Sequence, residues 1–283
     1  MPRDEGPSVG RGADARPTDG YRVSDEILVE RRDRIATVVF NRPQVRNAFN
    51  LAMWSAIPGI VDGLARDPEV RAIVFRGAGE EAFASGADIS EFRENRKDRA
   101  SAEAYNARTA AAAHAMETCP KPTVAMIYGY CMGGAVATAL ACDLRFSADT
   151  GKFGIPAGRL GIIYGLHAVK RLVSLVGPAL AKDILFSARL LDAEEALRVG
   201  FVQRVVPAAD LAAYTYDYLA RVADNAPLTV QGAKVIIESI TEDGGVAKQD
   251  DIAQLQLRAF ESEDYKEGTA AFLEKRRPRF VGR

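Results

Sequence analysis

Two short segments of this chain bear residues whose types and spacing point to chemistry: Phe83-Ala84-Ser85-Gly86-Ala87-Asp88-Ile89 and Gly129-Tyr130-Cys131-Met132-Gly133-Gly134. Each reads as an apolar strand entering a small-residue turn and then a helix, which leaves backbone N–H groups at the turn without intrahelical partners. Two such amides, at Ala87 and Gly134, converging on one carbonyl oxygen would stabilise the negative charge that grows there when an enolate forms. Both residues are small enough for a ligand to approach the main chain. Gly134 also opens a helix, whose dipole favours negative charge. A glycine pair before a helix alone reads equally well as tight packing, so the combination carries the argument.

The elements that must hold these turns follow from periodicity and breakers. Ile27 to Glu30 and Ile35 to Phe40 read as a hairpin around Arg31-Arg32-Asp33-Arg34. Asn50 is placed to cap a helix over Leu51 to Arg66, with Pro58 as a kink or boundary inside it. The strand Ala72 to Phe75 and the turn Gly77-Ala78-Gly79 lead to the first amide-bearing segment. A helix over Ala102 to Glu117 is closed by Pro120-Lys121-Pro122, which launches a strand over Thr123 to Ile127. Gly133-Gly134 opens a helix over Ala135 to Ala141. The recurring strand, turn and helix predict an α/β spiral of ββα units. Beyond Leu166 the pattern is helical apart from a strand over Phe201 to Val206, with helices near Asp210 to Ala223, Leu228 to Ile240, Asp251 to Ser262 and Asp264 to Arg276. We expect a disordered tail over 1–20, a spiral core over 21–207 and a C-terminal helical section over 208–283.

Bulk properties narrow the function classes. Lys and Arg number 37 against 38 Asp and Glu, so no global field steers nucleic acid or an anionic membrane. No lysine-rich helix or basic stripe with interleaved aromatics points to nucleic acid. No apolar run is long enough to span a membrane, and the N-terminus lacks the order of a signal peptide. The 3 cysteines, Cys119, Cys131 and Cys142, form neither a disulfide framework nor a zinc pattern and fit the cytoplasm. No metal, nicotinamide or flavin motif is present.

Three segments together resemble signatures of the enoyl-CoA hydratase/isomerase, or crotonase, superfamily: Asn41-Arg42-Pro43-Gln44-Val45-Arg46-Asn47-Ala48, Ser85-Gly86-Ala87-Asp88-Ile89, and Gly129 to Gly134. The resemblance covers nearly the whole chain after the tail. It implies an acyl-CoA thioester substrate whose carbonyl oxygen is held by the Ala87 and Gly134 amides, with Ser85, Asp88, Ile89 and Gly133 around it. It further implies CoA contacts from the Arg46 guanidinium and the Ala48 backbone. Phe272 and Lys275, three apart and so expected on one helix face, would reach the CoA of a neighbouring subunit in a trimer or hexamer. No cofactor beyond the CoA moiety of the substrate is implied. Read by themselves, Arg46 is a solvated loop cation and Phe272 a core residue beside a charged helix end.

The catalytic positions depart from the pattern. Typical hydratases of the superfamily carry a glutamate three residues after the oxyanion glycine and another after Phe-Gly-x-Pro, as base and acid; here those positions are Ala137 and Ala157. Tyr164 lies in Arg159-Leu160-Gly161-Ile162-Ile163-Tyr164, which resembles the segment whose tyrosine holds the leaving carboxylate in methylmalonyl-CoA decarboxylases. Those enzymes place a histidine where this chain has Ala87. Tyr164 reads equally as a half-buried tyrosine satisfied by backbone. His167 at a helix start and Glu91 near the acyl pocket are further candidates, each with a solvated reading beside it, and His114 reads as structural. Hydration of a 2-enoyl-CoA without the glutamate pair is the nominal expectation, with decarboxylation through Tyr164 or acyl-CoA binding without catalysis as alternatives.

Overall fold

The computed structural model describes residues 21–22, 24–243 and 248–283; the tail expected over 1–20 lies outside them. Strands β1 (Tyr21–Arg22), β2 (Ile27–Arg32), β3 (Ile35–Phe40), β4 (Ala72–Gly77), β6 (Thr123–Ile127), β8 (Leu144–Ala148) and β11 (Arg204–Val206) form a seven-stranded sheet in the order β1-β2-β3-β4-β6-β8-β11. A four-stranded sheet runs β10 (Leu190–Asp192), β9 (Lys152–Gly154), β7 (Tyr130–Met132), β5 (Ala82–Ala84). From β4 onward the chain repeats one step: a strand joins the large sheet, the next joins the small one, and a helix returns. The β4/β5, β6/β7 and β8/β9 pairs are stacked in parallel register within each sheet. This is the expected spiral.

The central strands read as unbroken apolar runs because both faces are covered. All six residues of β3 are buried. One face packs on α1 (Leu51–Arg66) and α3 (Arg99–Glu117) around Phe40, Phe49, Phe75 and Phe83. The other face takes Leu211 and Leu219 of α7 (Ala208–Ala223) beside Val74, Val124 and Phe146. α1 begins where Asn50 accepts the Met53 amide at 2.9 Å, and Pro58 lies inside it without ending it. Helix α3 starts at Arg99, three residues before the expected point, because Asp98 and Ser101 form a reciprocal capping box.

Several boundaries differ from the sequence reading. The hairpin turn is shorter than expected: Arg32 pairs with Ile35 across Asp33, whose φ of 52° lets two residues close it. β10 was not foreseen, three residues being too few for a periodic signal. The strand expected over Phe201 to Val206 pairs only at Arg204–Val206. The helix α5 (Leu166–Ser187) is interrupted at Gly177, with φ 75° and ψ 164°, ahead of Pro178. The C-terminal helices are α8 (Pro227–Asp243), α9 (Gln249–Glu261) and α10 (Glu263–Leu273).

Candidate active site

The first amide-bearing turn leaves β5 through Gly86, whose φ of 102° suits only glycine. A Cβ there would also stand 2.8 Å from the Met132 carbonyl oxygen. Residues 42–49 strap this turn in place. The Ser85 amide donates to the Arg46 carbonyl at 2.9 Å, Phe49 N–H to the Gly86 carbonyl at 2.8 Å, and Asp88 N–H to the Phe49 carbonyl at 2.8 Å. Asn47, left-handed and 1% exposed, accepts the Arg42 amide and donates to the Ala78 and Ala82 carbonyls. Between these bonds the Ala87 amide has no acceptor among the described residues.

The second turn runs from β7 into α4 (Gly134–Leu140). Gly133 caps that helix at φ 51° and ψ −117°, its own N–H donating to the Gly154 carbonyl at 2.8 Å. The Gly134 amide begins the helix and likewise has no acceptor among the described residues. The two turns touch: a Cβ on Gly134 would lie 3.5 Å from the Ala87 nitrogen and 3.3 Å from Cζ2 of Trp54. The expected pair of amides is thus brought together.

Tyr164 donates its hydroxyl proton to the Gly133 carbonyl at 2.8 Å. That carbonyl and the Gly134 N–H are the two ends of one peptide group. A hydrogen bond at the oxygen polarises the group and makes the N–H a stronger donor. Burial pushes the phenol well above its ordinary pKa, outweighing the Ala137 amide that favours the ionised form, so Tyr164 stays protonated at working pH. Ala137 is half-buried in the first turn of α4, and Ala157 is 9% exposed.

Carboxylates near the turns are engaged. Asp88 accepts from Ser90 Oγ at 2.6 Å and from Arg42 at 2.9 Å; these bonds, the Ser90 hydroxyl foremost, lower its pKa despite partial burial. Glu91 accepts the Leu51 amide at 2.8 Å and the Asn95 side chain at 3.2 Å, so it caps α1. His167 is exposed at the start of α5.

The expected CoA contacts lie as follows. Arg46 is exposed, paired with Glu81 at 2.6 Å and 5.4 Å from the Tyr130 ring centroid. Ala48 donates to the Val45 carbonyl and accepts from Arg42 at 2.7 Å, so its backbone already serves the strap. Ser85 donates to the Val45 carbonyl at 3.2 Å, and Ile89 is exposed. Phe272 is exposed on α10, but Lys275 does not share its helix face. The helix stops at Leu273, and Lys275 takes φ 55° beyond the cap at Glu274. Its amide returns to the Phe272 carbonyl and that of Arg276 to Ala271, a left-handed closure that overrides the helical periodicity. Arg42, Asn47 and Trp54 were missed as positioning residues. Arg42 and Asn47 fall inside a segment read for its neighbours, and Trp54 has a core residue's place on an amphipathic helix.

Residues 30–283 match the family model described as enoyl-CoA hydratase/isomerase. The chain belongs to the enoyl-CoA hydratase/isomerase family. A crotonyl-CoA hydratase of Syntrophomonas wolfei is 32% identical over 263 residues, covering 92% of this chain and 99% of that protein. A short-chain-enoyl-CoA hydratase of Clostridium acetobutylicum is 31% identical over 257 residues, covering 89% and 96%. The crystal structure of an enoyl-CoA hydratase/carnitine racemase from Magnetospirillum magneticum superposes with a TM-score of 0.87 at 35% identity, covering 92% and 97%. The fold is therefore the crotonase fold of this family, with two sheets and C-terminal helices, and the chain is a family enzyme acting on an acyl-CoA. Enzymes of this family typically need no cofactor beyond the CoA of the substrate. Among the described residues no helix is long and apolar enough to cross a membrane.

Proposed function

We infer that the chain stabilises the enolate of an acyl-CoA thioester between the Ala87 and Gly134 amides, and that its nominal reaction is hydration of a 2-enoyl-CoA without a glutamate pair. The observation carrying this reading is the closeness of two turns whose amides both lack acceptors among the described residues. Relatives named for hydration of enoyl-CoA esters favour the same reaction. Conjugate addition of water places charge on the thioester oxygen, where preorganised N–H donors help most. With alanine at 137 and 157, protons move through water, and the amides supply the stabilisation. Tyr164 is a positioning residue for the Gly133–Gly134 peptide.

Decarboxylation of a malonyl-type ester is the second reading. Loss of CO2 produces the enolate without a base, which suits the alanines. In it Tyr164 acts on the peptide, since its proton is committed to Gly133. Arg46 and Phe272 are the proposed CoA contacts, with Phe272 reaching a neighbouring subunit of a homotrimer or hexamer. Three buried free thiols accord with a reducing cytoplasm.

The test is the loss of conjugated-thioester absorbance on mixing with crotonyl-CoA, beside a Gly134→Pro variant. Proline is tolerated at a first helical position and removes the N–H, but its ring also adds atoms about 3.3 Å from Trp54 Cζ2, so circular dichroism must show the variant folded. Loss with the parent and none with the folded variant supports hydration at the hole. Binding without loss moves decarboxylation or simple binding ahead, and malonyl-CoA turnover separates those two.

A further inference from the structure

Five side chains among the described residues bury a polar atom that has no hydrogen-bond partner: Trp54 Nε1, Arg71 Nη1, Arg96 Nε, Tyr105 Oη and Ser239 Oγ. Three of them, Trp54, Arg96 and Tyr105, come together. Trp54 is 4% exposed on α1 and Tyr105 3% exposed on α3. Arg96 ends the one-turn helix α2 (Phe92–Asn95) and lays its guanidinium 4.6 Å from the Tyr105 ring centroid and 4.4 Å from that of Phe92. The Trp54 N–H faces the Tyr105 hydroxyl closely enough to favour the phenolate, yet burial dominates and raises that pKa, and the two do not close a hydrogen bond. Leaving buried donors unpaired is costly.

Their place is next to the proposed hole. The Trp54 atom that a Gly134 Cβ would meet at 3.3 Å is Cζ2, two bonds from Nε1 along the ring. A Cβ on Gly134 would also lie 3.5 Å from the Ala87 nitrogen, so the two turns are close neighbours. An acyl chain whose thioester oxygen lies between those amides starts beside the Trp54 ring, next to which lie the Tyr105 hydroxyl and, over the Tyr105 ring, the Arg96 guanidinium. All three can donate, and a methyl-terminated chain would satisfy none of them. The two carboxylates that act on Tyr105 are already used: Asp88 is paired with Arg42, and Glu91 caps α1.

We propose that Trp54, Tyr105 and Arg96 form a carboxylate-recognition site in the acyl pocket, so that the substrate is a CoA monothioester of a short dicarboxylic acid. The proposal rests on the reading of Ala87 and Gly134 as the thioester site. A carboxylate offers two oxygens to three donors and a charge to the guanidinium, and hydrogen bonds to an ionised acceptor are the stronger kind. A site built around such donors rejects an analogue lacking the acceptor far more sharply than an apolar pocket rejects an added methylene.

The experiment is calorimetric binding of succinyl-CoA and glutaryl-CoA against butyryl-CoA and valeryl-CoA, chains matched in length. The expected result is at least about tenfold tighter binding of the dicarboxylic thioesters. Tyr105→Phe, which removes one oxygen, and Arg96→Met, at a half-buried helix end, should each shrink that preference about threefold or more. Far-ultraviolet circular dichroism confirms that the variants fold. The methyl ester of glutaryl-CoA, neutral but still an acceptor, should fall between the two series. Equal or weaker binding of the dicarboxylic thioesters overturns the proposal, as does a preference unchanged in both variants. Absence of binding by all the thioesters to folded protein overturns it together with the acyl-CoA reading, whereas tight binding of butyryl-CoA alone removes only the carboxylate site.

Discussion

At the scale of single residues, the hydroxyl of Tyr164 is the most consequential group whose role could not be read from its neighbours in sequence. The segment Leu160 to Tyr164 suggested a hand on a leaving carboxylate, and a satisfied half-buried phenol was the alternative. The hydroxyl meets the backbone at the Gly133 carbonyl. Tyr164→Phe is expected to lower kcat about three- to tenfold with KM little changed, because a polarising bond matters most once charge has developed. A merely structural tyrosine would leave the ultraviolet red shift of a bound conjugated thioester untouched; the positioning role predicts a smaller shift in the variant. Gly86→Ala tests the other turn. Its φ of 102° and the Met132 oxygen 2.8 Å from a new Cβ predict a loss of at least about 1–3 kcal/mol on denaturant unfolding. The small residues at 86, 87, 133 and 134 were legible because turns need them. Trp54 and Tyr105 were not, because an apolar helical position gives no sign of which polar atom stays unpaired.

At the scale of elements, α4 shows how one short helix is secured at both ends. Its start is held by the Gly133 geometry and Tyr164. Just past its end lies Arg145, 2% exposed, donating to the Ala139 and Cys142 carbonyls and, through Nε, to Phe201 at 2.9 Å. Burial lowers that guanidinium's pKa to about 10, so it remains charged at neutral pH. Arg145→Met should destabilise the protein by about 2–4 kcal/mol through the carbonyls left unpaired. Because it unseats the helix whose first amide is Gly134, it should also lower kcat, and the two effects are checked by urea unfolding and by initial rates. Strand and helix types were legible where the runs were long, as in β3 and α1. Closures made by left-handed residues, such as Lys275, were not, since lysine carries no turn preference and the helical spacing of Phe272 and Lys275 was the stronger local signal.

At the scale of the whole molecule, the C-terminal helices carry large apolar side chains to the surface: Ile237, Ile240, Leu257, Phe260, Phe272 and Leu273 are all more than half exposed. Such a surface favours association, and light scattering is expected to report a trimer or hexamer. Phe272→Asp and Leu273→Asp together should shift it toward the monomer. Acid should loosen the end of the chain early. Glu267 accepts from Arg276 at 2.6 and 2.9 Å and from the Arg279 amide at 2.8 Å, which hold its pKa at about 2 against an ordinary 4.5. A depressed carboxylate pKa adds stability above the ordinary value and loses it as pH falls toward the lowered one. Protection factors for amide exchange over 276–283 should therefore fall between pH 4.5 and 2, before those of the core.

The proposed donors at Ala87 and Gly134 belong to the main chain. Every amino acid except proline supplies an amide, so a change of codon at either position seldom deletes the donor itself; it is the bends at Gly86 and Gly133 that a lineage must keep. Side chains around the hole are then free to drift. A descendant can shed one set of proton carriers and acquire another acyl preference while its anion-holding frame is inherited intact.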